Sequence, residues 1–202
     1  MEIKKALDHL GKVREFRNLI DNLTLPALTP SGDIYGGLLR AILAQQLNTR
    51  VAETITCRFL RLFDEKTPEA RQLLDTDLPT LQSAGISPQK AAYLHNVAHF
   101  FDHHQLHNHP WHSLEDENII QMLTQIKGVG RWTTEMLLIF DLGRPDVMPL
   151  QDLGIQQAFK AVFNVEDTGT NLLKTMGAAA EAWRPYRTTA CRYLWRARDT
   201  VK

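Results

Sequence analysis

Apolar residues in this chain recur at steps of three and four, and the two-residue alternation of β-branched side chains that builds a sheet is almost absent. That pattern points to an all-α fold. Tyr35, Leu38, Leu39, Ile42 and Leu43 form one helical stripe, with Asp33 just ahead of it as an N-cap. A second stripe, Val51, Ile55, Phe59, Leu62 and Phe63, starts after Asn48 or Thr49. Thr67-Pro68 pairs a cap with proline at a first helical position, ahead of Leu73 and Leu74. Residues 77–84 read as a short helix that Gly85 ends, and Ser87-Pro88 opens another with Leu94, Val97, Ala98 and Phe101 inward. Helices over 116–124 and 131–141 flank a tight turn, and two more cover about 170–182 and 185–199. The expectation is about ten helices.

A chain of 202 residues makes one domain or two small lobes. Gly143, Arg144 and Pro145 break the helical pattern, which suggests one lobe over 33–143 and a second from 1–32 plus 144–202. Two cysteines, Cys57 and Cys191, exclude a disulfide scaffold and any four-cysteine zinc or iron–sulfur site. The opening MEIKKALDHLGKVREF is amphipathic and charged, unlike a secretion signal, and no apolar run reaches the 18 residues of a membrane span. A soluble monomer is expected, cytoplasmic in a bacterium or nuclear in a eukaryote.

Lys plus Arg equals Asp plus Glu at 23 each, which argues against a wholly basic nucleic-acid coat but not against a local basic face. Residues 184–202 hold Arg184, Arg187, Arg192, Arg196, Arg198 and Lys202 against Asp199 alone, while Glu115, Asp116 and Glu117 form an acidic patch. His95, His99 and His103 recur every four residues, yet few carboxylates converge with them. A solvated face is the better reading than a zinc site.

Between the two central helices lies Leu123-Thr124-Gln125-Ile126-Lys127-Gly128-Val129-Gly130. Two glycines around one apolar residue let the backbone take positive φ and approach a ligand closely, with Val129 buried as the anchor. The next helix begins at Arg131, so its unpaired N–H groups and positive dipole end face the same spot. Together they make an anion site suited to a DNA phosphate and blind to base sequence. Further on, Asp152 precedes Leu153, Ile155 and Phe159, as a helix N-cap would.

Four segments, in order, carry a resemblance: Ile42-Leu43-Ala44-Gln45-Gln46-Leu47, Gly85-Ile86-Ser87-Pro88-Gln89-Lys90-Ala91, Ile126 through Thr133, and Pro149 through Ile155. From about Asp33 to Trp195 the chain resembles the helix-hairpin-helix DNA glycosylases, specifically the 3-methyladenine DNA glycosylase II branch. The resemblance implies two helical lobes with an active-site cleft between them. It implies a monofunctional N-glycosyl hydrolase of base excision repair that flips alkylated purines out of double-stranded DNA and leaves an abasic site.

Asp152 stands where the family's cleft aspartate stands, and a carboxylate suits a sugar that becomes cationic as its bond breaks. Relatives that also cut the strand carry lysine where this chain has Trp132, and an indole forms no Schiff base. By the same resemblance Trp132 and Trp195 line the base pocket, with Tyr35 and Tyr186 at its edge, while Trp111 and Trp183 are left to the core. Met136 and Arg196 replace tyrosines common in the branch, which thins the aromatic wall. Gly128, Val129, Gly130, Arg131 and Thr133 are expected to contact DNA, with Leu47 as wedge and Gln46 reaching the partner strand.

The main-chain carbonyls of Thr124, Ile126 and Val129 match those that hold a monovalent cation, Na or K, in the family; no other cofactor is required. The segment before Asp33 is too short for the N-terminal β-domain of larger relatives, so the compact form is expected, its N-terminal helix folded onto the C-terminal ones. Two rival readings are a non-catalytic DNA-binding module and a mismatch or oxidised-base glycosylase on the same fold.

Overall fold

The stop and start signals place most helix ends. The computed structural model describes residues 2–200, and among them it contains twelve α-helices and no strand. They are α1 (Glu2–Leu10), α2 (Arg14–Asn22), α3 (Ile34–Ala44), α4 (Thr49–Arg61), α5 (Ala70–Asp75) and α6 (Leu78–Ser83). There follow α7 (Pro88–His103), α8 (Asp116–Leu123), α9 (Arg131–Phe140), α10 (Leu153–Phe163), α11 (Gly169–Glu181) and α12 (Arg187–Thr200). The histidine-rich segment between α7 and α8 folds into two single 3₁₀ turns.

The caps act as the sequence suggests. Asp33, Asn48, Asp77 and Ser87 each accept the backbone N–H three residues on, at 2.8, 3.0, 2.7 and 3.3 Å. Thr67-Pro68 does not open a helix. Glu69, extended and without a side-chain cap bond, precedes α5, and Pro68 is buried one residue earlier, at the position where an apolar residue staples a helix start. The stripe on α4 is only partly inward, because Phe59 and Phe63 are buried while Val51 and Leu62 are exposed. The N-terminal amphipathic stretch is two helices rather than one, parted by a turn in which the Gly11 N–H donates to Leu7 O.

The chain divides into two compact units, Ser31–Leu137 and Met1–Pro30 with Leu138–Lys202. Their border lies inside α9, ahead of the Gly143 break, because the helical ladder continues through the junction. In the unit Ser31–Leu137, α7 is the central helix and packs on α3, α5 and α6 around Leu38, Ile42, Leu73, Leu94 and Phe101. In the other unit α10 and α12 pack together over Ile155, Phe159, Cys191 and Leu194, and α2 lies against α12. Phe16 of α2 meets Trp183 edge-on at 5.0 Å, so the N-terminal helices do fold onto the C-terminal ones.

Candidate active site

In the unit Ser31–Leu137, α7 holds two surface features side by side. Gly128 has φ 105°, and a Cβ there would stand 2.4 Å from the Tyr93 ring, so only glycine fits the turn. Asn96 Nδ2 donates to Lys127 O at 3.1 Å, a second tie from α7 to the hairpin. Val129 is buried, as expected of the anchor, and its N–H donates to Ile126 O at 3.0 Å. Gly130 differs from Gly128: its φ is not positive and nothing lies within 4 Å of its Cβ position. Neither strain nor an internal neighbour asks for glycine there.

The second feature is the end of α3. Lys90 Nζ donates to Leu43 O at 2.8 Å, a cation on the last carbonyls of the helix, and partial burial pushes its pKa below the usual lysine value. Gln46 then takes a left-handed φ of 56°, and the chain leaves Gln46 and Leu47 exposed. Such backbone strain in a non-glycine residue persists only where the surroundings hold it. Gln45 supplies the hold, since its Nε2 donates to Gly128 O at 3.0 Å and joins this turn to the hairpin.

In the other unit the site is one carboxylate. Asp152 is only 8% exposed and begins α10, where its Oδ1 accepts the Ile155 N–H at 2.8 Å. The same oxygen accepts the Trp195 indole N–H at 2.9 Å, from α12. The Trp195 ring stacks on Phe140, 5.7 Å away and tilted by 28°. The loop that leads to Asp152 is stitched to the start of α12. Thr188 Oγ1 donates to Arg144 O at 2.6 Å and accepts Val147 N–H at 3.1 Å, and Arg187 clamps Asp146 through Nε and Nη2 at 2.7 and 3.0 Å.

Several expected residues are engaged differently. Arg131 forks onto Glu117 at 3.1 and 2.9 Å and reaches Glu135 at 3.1 Å, so its guanidinium ties α9 to α8. Thr133 is buried. Tyr35 lines a pocket of about 410 Å³ with Asp33, Phe101, His107, His109 and Trp111, a lining that includes neither Trp132 nor Trp195. Burial, helped by Asp33, pushes its phenol pKa upward, so it stays neutral.

Trp132 is 46% exposed, while Trp111 and Trp183, left to the core, are 6% and 1% exposed. Tyr186 packs on His9 at 5.4 Å. Among the described residues no group of three or more His, Cys, Asp or Glu is arranged for a metal; His95 Nε2 bonds Thr76 O, and His99 stacks on His103. Gln45, Tyr93, Asn96, Phe140 and the 71% exposed Leu153 had drawn no role from the sequence. Of these only Gln45 and Leu153 sat inside the motifs that carry the resemblance.

Residues 39–185 match the family model described as HhH-GPD superfamily base excision DNA repair protein. The chain belongs to the HhH-GPD superfamily. Within that superfamily it is 30% identical to the putative DNA-3-methyladenine glycosylase YfjP of Bacillus subtilis, across 96% of this chain and 69% of that one. It is 34% identical to DNA-3-methyladenine glycosylase 1 of Schizosaccharomyces pombe, across 80% and 71%. The solved structure of the S. pombe 3-methyladenine DNA glycosylase Mag1 in complex with abasic DNA superposes with a TM-score of 0.83 at 31% identity, covering 95% of both chains. A DNA-3-methyladenine glycosidase from Bacillus halodurans gives a TM-score of 0.80 at 32% identity. The all-α HhH-GPD fold and the glycosylase class of its relatives agree with what the four sequence segments imply.

Proposed function

We propose that this chain is a monofunctional DNA glycosylase that hydrolyses the N-glycosidic bond of alkylated purines, 3-methyladenine among them, in double-stranded DNA and leaves an abasic site. The observation that carries the reading is Asp152, a nearly buried carboxylate that two N–H donors hold by one oxygen. As the bond to a methylated base breaks, positive charge develops on the sugar, and a fixed carboxylate stabilises it and orients water. A ring-methylated purine is already a cation, so it leaves without strong general-acid help.

The remaining parts divide the task of holding DNA. The hairpin offers backbone N–H groups at the start of α9 to a phosphate, and the open Cβ position of Gly130 leaves room for close approach. Leu47 would fill the gap that a flipped nucleotide leaves, a reading supported by its exposure after the left-handed Gln46. The exposed indole of Trp132 offers a cationic base its electron-rich face. The carbonyls of Thr124, Ile126 and Val129 are oxygen donors suited to Na or K, with Ile126 O already accepting one N–H.

The test is base release from duplexes that each carry one alkylated purine, with the strand analysed before and after alkali. Release by the wild-type chain, with the strand intact until alkali, is the expected result. Cleavage before alkali, or a borohydride-trapped adduct, overturns the monofunctional reading; no release from any alkylated duplex overturns the glycosylase reading.

A further inference from the structure

The cap alone does not fix a carboxylate. A hydrogen bond from Ile155 N–H holds Oδ1 near the helix start, but a single bond still lets the carboxylate rock about that contact. A second donor on the same oxygen, approaching from another helix, removes that freedom. Here the donor is the Trp195 indole N–H at 2.9 Å.

The surroundings are shaped for that contact. A Cβ on Gly154 would stand 3.0 Å from Asp152 Oδ1, 3.3 Å from Trp195 Cδ1 and 2.5 Å from Arg198 Nη1. The Arg198 end can shift, being the tip of a flexible side chain; the carboxylate and the indole cannot move apart without loosening their bond. Glycine in the first turn of α10 thus makes room for α12 to bring the indole in. Phe140, stacked on one face of the indole, adds a ring contact that favours this orientation.

We infer that Trp195 is a positioning residue, whose indole N–H and stacked ring orient the Asp152 carboxylate through its Oδ1. This rests on the catalytic reading of Asp152, and it gives Trp195 a task other than stacking on the excised base. The two tasks separate experimentally. A ring that stacks on the base contributes to substrate binding and favours cationic lesions. A ring that orients a carboxylate acts on the rate alone, and equally for every lesion.

The experiment is single-turnover excision of 7-methylguanine and hypoxanthine from duplex DNA by wild type, Trp195→Phe, Gly154→Ala, Asp152→Asn and the Asp152→Asn/Trp195→Phe double variant. Affinity for a duplex with an abasic-site analogue is measured alongside. Trp195→Phe keeps an aromatic face but loses the N–H, together with part of the ring. It should slow excision about 10- to 100-fold, since misplacing a reacting group by a fraction of its size costs that much. The factor should be the same for both lesions, with duplex affinity unchanged. Gly154→Ala, which removes no functional group, should slow both in the same way.

In the Asp152→Asn background the tryptophan substitution should add almost nothing, because two residues that act as a unit are strongly non-additive. A loss confined to 7-methylguanine, or a full additional loss on top of Asp152→Asn, overturns the inference. If Trp195→Phe does not fold, the side-chain N–H resonance of Trp195 in the otherwise wild-type protein decides it. That resonance should shift, and its exchange with water should quicken, in Asp152→Ala; an unchanged signal overturns the tether. This last readout needs no activity, so it stands apart from any failure of the glycosylase reading.

Discussion

The hairpin over 126–130 and the carboxylate of Asp152 are held by opposite means. Around the hairpin, side chains of other elements hold main chain: Tyr93 against Gly128, Asn96 on Lys127 O, Gln45 on Gly128 O. At Asp152 the functional group is a nearly buried side chain, and main chain and a second side chain grip it, through Ile155 N–H and Trp195 Nε1–H. A backbone surface suits a task that is the same for every base sequence, and a fixed charge suits one reaction step.

The contrast predicts how each region fails. Asp152→Asn keeps the cap acceptor and the indole partner but removes the charge, so excision should fall by orders of magnitude, on the order of 3 kcal/mol or more of transition-state stabilisation, with fold and duplex affinity retained. Single-turnover kinetics and a binding titration check it, and near-normal turnover would falsify the assignment of Asp152. The glycines should split. Gly128→Val forces a left-handed φ on a β-branched residue and drives its Cβ into Tyr93, at a cost of about 2–4 kcal/mol in unfolding free energy, read by thermal or urea denaturation. Gly130→Val should leave stability nearly intact and weaken binding to damaged and undamaged duplex alike, by a similar factor. If both glycines act only through stability, the hairpin is a turn and not a ligand site.

Smaller effects refine the same picture. Gln45→Ala deletes a bond from the α3 turn to the hairpin and should cost about 1 kcal/mol, seen as faster proteolysis or amide exchange in 45–48 and 126–130 together. Exchange that quickens in only one segment breaks the idea that the two move as one. The smallest effect concerns Glu117, whose carboxyl the Arg131 hydrogen bond holds below the usual range. A depressed carboxylate stabilises the fold above its ordinary pKa and loses that contribution as pH falls through the lowered value. Glu117→Gln should therefore trim stability slightly at neutral pH and flatten its decline on acidification, because both partners are half exposed and water screens them.

The sequence was a good guide wherever a local rule sufficed. Caps at Asp33, Asn48, Asp77 and Ser87, and the stop at Gly85, depend on a few neighbouring residues and could be read directly. Gly128, Val129 and the placement of Asp152 at a helix start followed from the same kind of rule. What stayed hidden depends on partners far along the chain. Nothing local tells that Arg131 meets Glu117, that Thr133 turns inward, that Gln45 reaches Gly128 or that Trp195 reaches Asp152. Pro68 misled for a related reason: a proline serves as well before a helix, as a buried anchor, as at its first residue.

The clamp on Asp146 bears on how the basic C-terminal segment behaves toward polyanions. Counted along the chain, Arg184 and Arg187 belong to an excess of positive charge, but Arg184 lies 2.7 Å from Asp146 and 2.9 Å from Glu181, and Arg187 lies 2.7 Å from Asp146. Each is already paired with the protein's own carboxylates. A guanidinium in that state displaces fewer condensed cations when it nears a nucleic acid than an unpaired one, so it adds less to the dependence of log K on log salt. Neutralising either arginine by mutation should therefore lower the salt slope of duplex binding by less than about one, even though the formal charge of the segment falls.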